Sequence, residues 1–212
     1  MAAAKDIIIR NLCSHDLHAT YQTNTEPYGK VFPLLAKSNK TITVEDDWEG
    51  RVWAQESCHP PENCLQAGAH NPASLAEFKM SGANNVDYYD ISFVDGYNLP
   101  LRVEPTKLEQ DHTVSSDPRH CRATYCSSMP DCPADLRFQE GKTWTACQSA
   151  CSRYRQDEYC CTGAHSTPET CTSNHFSRAI KAVCSDVYTY AFDDAFSVYA
   201  CHAPSYIVSF CP

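Results

Sequence analysis

A mainly β fold, a flattened β-sandwich carrying a disulfide-rich and partly helical loop lobe, is predicted by three features of this sequence. Five short segments are rich in β-branched and aromatic residues and are bounded by Pro, Gly, Asn and Asp: KDIIIRNLC (5–13), KTITV (40–44), GRVWAQ (50–55), VDYYDISFV (86–94) and PSYIVSFC (204–211). Cysteines crowd one stretch, nine of the fourteen falling between Cys121 and Cys184. Helical signals are confined to that stretch.

Each element has its local reason. The five apolar segments must pack into a core, because few cysteines lie near them. The cysteine-rich stretch reads instead as a loop-rich satellite held by bridges. Within it, TACQSACSRYR (Thr145 to Arg155) and SNHFSRAIKAVC (Ser173 to Cys184) read as helices. The second sets Phe176, Ile180 and Val183 at helical spacing behind Ser173 as N-cap. Thirteen prolines against seven glycines point to many fixed turns. The chain has 212 residues, enough for one substantial domain or two unequal ones.

Charge and cysteine usage exclude several functions. A net charge of −9 argues against nucleic acid or an anionic membrane as the main partner, since both demand clustered Lys and Arg. An even cysteine count without paired CxxC motifs reads as a disulfide framework made in an oxidising compartment, and so as a secreted, extracellular protein. No apolar run approaches a membrane span. The leading MAAAK is too short for a signal peptide and reads as residues added to a mature chain. The nine histidines show no HExxH pattern and the serines no GxSxG elbow, so no metal, no cofactor and no serine or thiol nucleophile is expected. Asn39-Lys40-Thr41 is a glycosylation sequon and belongs on the surface.

The motifs RNLC, GRVWAQ, LAEF, YYDISFVDGYNLPL, EYCCTG, AVCSDVYTYAFDD and YIVSFCP occur in an order that resembles the thaumatin-like protein family, from about Arg10 to Pro212. The resemblance implies a core from residues 1–57, 72–118 and 185–212, and a disulfide-rich lobe over 119–184. A third lobe, over 58–71, is shortened and lacks one cysteine pair. It also implies the pairing Cys13–Cys211, Cys58–Cys64, Cys121–Cys201, Cys126–Cys184, Cys132–Cys147, Cys151–Cys160 and Cys161–Cys171.

In that family a cleft between sandwich and lobe has an arginine, a glutamate and three aspartates at its floor. The matching positions here are Arg51, Glu77, Asp90, Asp95 and Asp186, whereas Asp87 reads as a solvent-facing or turn residue. Strand parity sets a condition. Asp90 and Asp95 are five residues apart and would point to opposite faces of an unbroken strand, so the chain must bend between them. Asp-Gly followed by Asn and Pro supplies the turn, with Gly96 able to take a positive φ.

Clustered carboxylates in a partly desolvated cleft raise one another's pKa, and an acid with a carboxylate partner is what glycoside hydrolysis needs. The resemblance makes Glu77 the acid and Asp95 its partner, with Arg51, Asp90 and Asp186 binding hydroxyls and Tyr88, Tyr89, Phe93 and Tyr97 offering a stacking surface. Plainer readings stand beside this one. Asp95-Gly96 can be a turn and nothing more, Glu77 a solvated surface acid, Arg51 an ion-pairing strand residue, and the aromatics core.

Two functions remain. One is a secreted, monomeric binder of β-1,3-glucan or another cell-wall polysaccharide, with weak endo-β-1,3-glucanase activity and a defence or antifungal role. The other is a non-catalytic secreted protein that engages a protein partner as an enzyme inhibitor, defence factor or receptor ligand.

Overall fold

Residues 4–58, 61–106, 116–140 and 143–212 are described by a computed structural model. In chain order its strands are β1 (Ala4–Asn11), β2 (Leu17–Thr23), β3 (Lys30–Leu34), β4 (Asn39–Glu45), β5 (Glu49–Gln55), β6 (Leu75–Lys79) and β7 (Asp87–Ser92). There follow β8 (Gly96–Tyr97), β9 (Leu101–Thr106), β10 (Thr124–Cys126), β11 (Arg137–Glu140), β12 (Thr143–Gln148), β13 (Tyr199–Cys201) and β14 (Ser205–Phe210). The helices are short: α1 (Ala150–Tyr154), α2 (Asp157–Cys160), α3 (His175–Val183) and α4 (Asp194–Ser197).

Two sheets make the sandwich. One runs β10-β9-β14-β1-β4, with β1 parallel to β14, and the other runs β13-β7-β6-β5-β2-β3. Period-two alternation sends Ile7 and Ile9 of β1 and Tyr206, Val208 and Phe210 of β14 inward. They meet Val52, Ala54, Ala76, Phe78, Tyr89 and Ile91 from the facing sheet in one continuous core. A third sheet, β11-β12-β8, joins the cysteine-rich segment to the turn after β7.

All seven disulfides are formed in the pairing that the resemblance implies, and no cysteine is free. The sequon residues Asn39, Lys40 and Thr41 are exposed at the start of β4.

Several local expectations are corrected. Thr145 to Gln148 lie in strand β12, not in a helix, because that segment pairs with β11 on one side and β8 on the other. Only Ala150–Tyr154 is helical there, started by Ser149, whose side chain accepts from the Ser152 amide. The cap of α3 is Asn174, not Ser173: its Oδ1 accepts from the amides of Phe176 and Ser177 at 2.9 and 3.0 Å. Val183 is 51% exposed, while Phe176 and Ile180 pack on the core. Helix α4 lies outside the stretch where helices were expected.

The largest correction concerns Asp87. It is fully buried, and its carboxylate accepts from Lys5 Nζ at 2.5 and 2.6 Å, from the Ser81 amide at 2.9 Å and from the Tyr206 hydroxyl at 2.7 Å. Lys5 shares the inward face of β1 with Ile7 and Ile9 and is part of the packed fold.

Candidate functional site

On β5, β6 and β7 the apolar residues Val52, Ala76, Phe78, Tyr89 and Ile91 point inward, and so Arg51, Glu77 and Asp90 point to the outer face. Strand register then aligns them. Gln22 lies opposite Arg51, Arg51 opposite Glu77, and Glu77 opposite Asp90, a polar row across four neighbouring strands. Directly opposed residues have Cβ atoms roughly 4.5–5.5 Å apart, within reach of strong electrostatic coupling.

Asp95 reaches the row by the required bend. The Gly96 amide donates to Phe93 O at 3.0 Å across a tight turn, and Gly96 has φ +124°. A side chain there would also strike Cys147 O, 2.2 Å from where its Cβ would stand. Asp95 thereby lies near Arg51, which holds back the rise of its pKa.

Arg51 is oriented by Gln22, whose Oε1 accepts from both Nε and Nη2 at 3.2 Å, and its guanidinium lies 5.9 Å from the Trp53 ring centre. Beside it, Gln22, Gln66, Gly68, His70 and Asn71 border a cavity of about 190 Å³, bounded by the short 66–71 loop.

The carboxyls are shifted in one direction. Burial pushes Glu77 up, against the pull of Arg51 and of a hydrogen bond from Ser92, and Asp95 pushes it further. Burial raises Asp90 well above the carboxylate range, with Glu77 and then Asp194 adding to the rise. Asp95 is raised by burial. Asp90 Oδ1 is buried without a hydrogen-bond partner among the described residues. A raised pKa widens the pH range over which such an acid keeps a proton to donate.

Asp186 is placed differently. It accepts from Ser185 Oγ at 2.9 Å and hydrogen-bonds Tyr199. The acid that acts on Asp90 from beyond the row is Asp194, which accepts from the Tyr188 hydroxyl. Backbone bonds fix Tyr188 against the end of β7, its amide to Ile91 O and its carbonyl to the Phe93 amide, each at 2.8 Å. Tyr188 and Asp194 both fall within the motif AVCSDVYTYAFDD, but no periodicity signals that they fold back onto β7.

The stacking surface is corrected. Tyr89, Phe93 and Tyr97 are 1, 1 and 4% exposed and belong to the core, Phe93 and Tyr97 packing on each other at 5.2 Å. Inward parity accounts for Tyr89, and the turn that swings Asp95 outward folds Phe93 and Tyr97 under it. Tyr88 alone of the four keeps part of its ring at the surface, on the same face of β7 as Asp90. Among the described residues, the one trio of His, Cys, Asp or Glu donors close enough to share a metal ion is His18, Cys58 and Cys64, away from the acid row.

A family model described as the thaumatin family matches residues 11–212. Thaumatin-like protein 1 of Castanea sativa is 36% identical, over 85% of this chain and 79% of that protein. Pathogenesis-related protein 5 of Arabidopsis thaliana is 33% identical over 99% of this chain and 91% of its own length. Among solved structures, a laminaripentaose-producing β-1,3-glucanase in complex with laminaritetraose superposes with a TM-score of 0.67. It covers 100% of this chain and 99% of that one at 10% identity, a likeness of fold. The chain belongs to the thaumatin family.

Proposed function

We propose that this protein is a secreted defence protein that binds β-1,3-glucan along the Arg51–Glu77–Asp90–Asp95 row and hydrolyses it weakly. The observation that carries the reading is the Glu77–Asp90 cross-strand pair, two acids raised by burial with one Asp90 oxygen lacking a partner. Such a pair offers neutral O–H donors to sugar oxygens, and a hydroxyl donor from the sugar satisfies the orphaned oxygen.

Glu77 then protonates the glycosidic oxygen, while Asp95 beside Arg51 is the carboxylate that attacks or activates water. Asp90 stays neutral and binds a hydroxyl, and Asp186 binds at the margin. With three of four aromatics in the core, recognition rests on hydrogen bonds more than on stacking, and Tyr88 supplies the remaining ring.

The test is reducing-sugar release from laminarin together with retention on curdlan. Glu77→Gln is expected to lose at least about a hundredfold in turnover while binding glucan as the parent does, because the amide cannot deliver a proton. The parent rate follows a bell in pH. Both limbs are displaced upward from the ordinary values, since burial raises Glu77 and Asp95, and both belong to the coupled acids.

The burial of Tyr89, Phe93 and Tyr97 favours a second reading, a non-catalytic interaction protein. Glucan retention without release by the parent selects non-catalytic binding, and neither retention nor release selects a protein partner.

A further inference from the structure

We propose that the Cys58–Cys64 bridge is a redox-gated metal site: once a dithiol opens it, the two thiolates and the His18 imidazole bind one zinc-class divalent ion. A ring nitrogen of His18 and the two Sγ atoms all lie within 4.8 Å of one another. Tetrahedral zinc with Zn–S near 2.3 Å and Zn–N near 2.0–2.1 Å needs donor separations of roughly 3.5–3.8 Å. Opening the bridge separates the sulfurs toward that spacing, so only a small further adjustment completes three corners, with water at the fourth.

One nitrogen of the imidazole is unclaimed. His18 Nδ1 is buried and has no hydrogen-bond partner among the described residues, an unusual condition for a ring nitrogen inside a protein. His18 also stays beside Cys64 when the bridge opens. Thr20, two residues along the same strand, donates from Oγ1 to Cys64 O at 2.8 Å, and the Gly29 amide holds Leu65 O at 2.8 Å. Cys64 is fully buried, so Cys58 is the end that moves.

The same bridge is the one loop closure contributes to least. Its sequence separation is 6, against 9 to 198 for the other six. In the chain-entropy account stabilisation grows with loop length, so this bond is the first to yield to a limiting reductant.

The chemistry balances. A dithiol reduces the Cys58–Cys64 bond to two thiols and is itself oxidised to a disulfide, and the metal ion then displaces one proton from each thiol. Two thiolates and an imidazole select zinc-class ions over magnesium or calcium, which demand oxygen ligands. Four residues of strand, roughly 13 Å, separate His18 from Gln22 at the start of the acid row, so the two sites are distinct.

The experiment titrates the full-length protein with dithiothreitol under anaerobic conditions, maps opened thiols by alkylation and mass spectrometry, and adds cobalt(II) as the spectroscopic probe. Cys58 and Cys64 are expected to open first. One equivalent of cobalt should then show thiolate-to-metal charge transfer and tetrahedral d–d bands. His18→Gln is expected to weaken cobalt binding at least about tenfold, as loss of one of three protein ligands requires. Glu77→Gln should bind cobalt as the parent does. Thermal unfolding of a Cys58→Ser/Cys64→Ser variant checks that the fold survives opening of this bridge. Earlier opening of another bridge, collapse of the double variant, parent-like cobalt affinity in His18→Gln, or cobalt lost in Glu77→Gln would each overturn the proposal.

Discussion

Asp87 and Asp90 stand on one strand, three residues apart, and their surroundings are opposite. Asp87 faces inward, where Lys5, Tyr206 and the Ser81 amide supply four donor contacts to its carboxylate. Asp90 faces outward beside Glu77 and within range of Asp194, with one oxygen unpartnered. Both are desolvated, but only the first is compensated. A buried charge with complete partners ties parts of a fold together, here strands β1 and β14 of one sheet to β7 of the other. A carboxyl withdrawn from water without partners is instead held neutral and available to a ligand. The inner face of the six-stranded sheet therefore serves cohesion, and its outer face is the place where a neutral acid persists.

The sharpest break of this contrast is Asp87→Ala. It leaves the buried Lys5 ammonium with only the half-exposed Asp46 carboxylate, 3.7 Å away, and removal of one member of a buried ion pair costs about 3–5 kcal/mol. For a chain of this length that corresponds to a fall in Tm of roughly 10 °C. Thermal unfolding with the disulfides intact measures it, and a loss below about 2 °C would show that Asp46 or solvent satisfies Lys5 in place of Asp87.

Asp90→Asn should act in the opposite direction. Glu77, Asp90 and Asp95 all have raised pKa values in the folded protein. Stability tied to such groups is fully present below the ordinary carboxylate pKa and is lost as pH rises through the raised value. At neutral pH an amide at position 90 removes the cost of keeping a desolvated carboxyl there, burial being the main cause of its shift, and a gain of about 1 kcal/mol, or roughly 2–4 °C in Tm, is expected. Near pH 3 the gain should vanish. The difference between variant and parent is the quantity to follow, because exposed acids with lowered pKa values, such as Asp117 and Asp135, shape the parent profile in the other sense.

How much of this is readable from sequence differs between the two faces. The five apolar segments announce β1, β4, β5, β7 and β14, and alternation alone assigns Glu77 and Asp90 to outward positions once Phe78, Tyr89 and Ile91 are inward. Parity also requires the bend before Asp95, and Gly96 supplies it. The Lys5–Asp87 pair is not readable, because it joins residues 82 apart on different sheets and each looks locally like an end-of-strand charge. Strand β12 is hidden for a related reason: Ala146, Cys147 and Gln148 have no strong local preference, and pairing with β8 and β11 decides their state. The aromatics of YYDISFVDGY misled because composition reveals rings but not which side of the sheet they occupy.

The smallest expected effect belongs to Asp186. It sits where Ser185 and Tyr199 satisfy it, and so it resembles the compensated inner acid more than the uncompensated outer ones. Asp186→Asn keeps the shape and leaves one acceptor oxygen for these donors, so Tm should move by less than about 2 °C, in the range of ordinary surface changes. Curdlan retention should weaken only a few-fold, as expected for one hydrogen bond at the edge of a site, whose net worth is about 1 kcal/mol. Retention unchanged within error would remove Asp186 from the glucan site. A loss of about a hundredfold or more in the same retention assay would instead place it at the centre, and the division between compensated and uncompensated acids would no longer separate structure from function on this sheet.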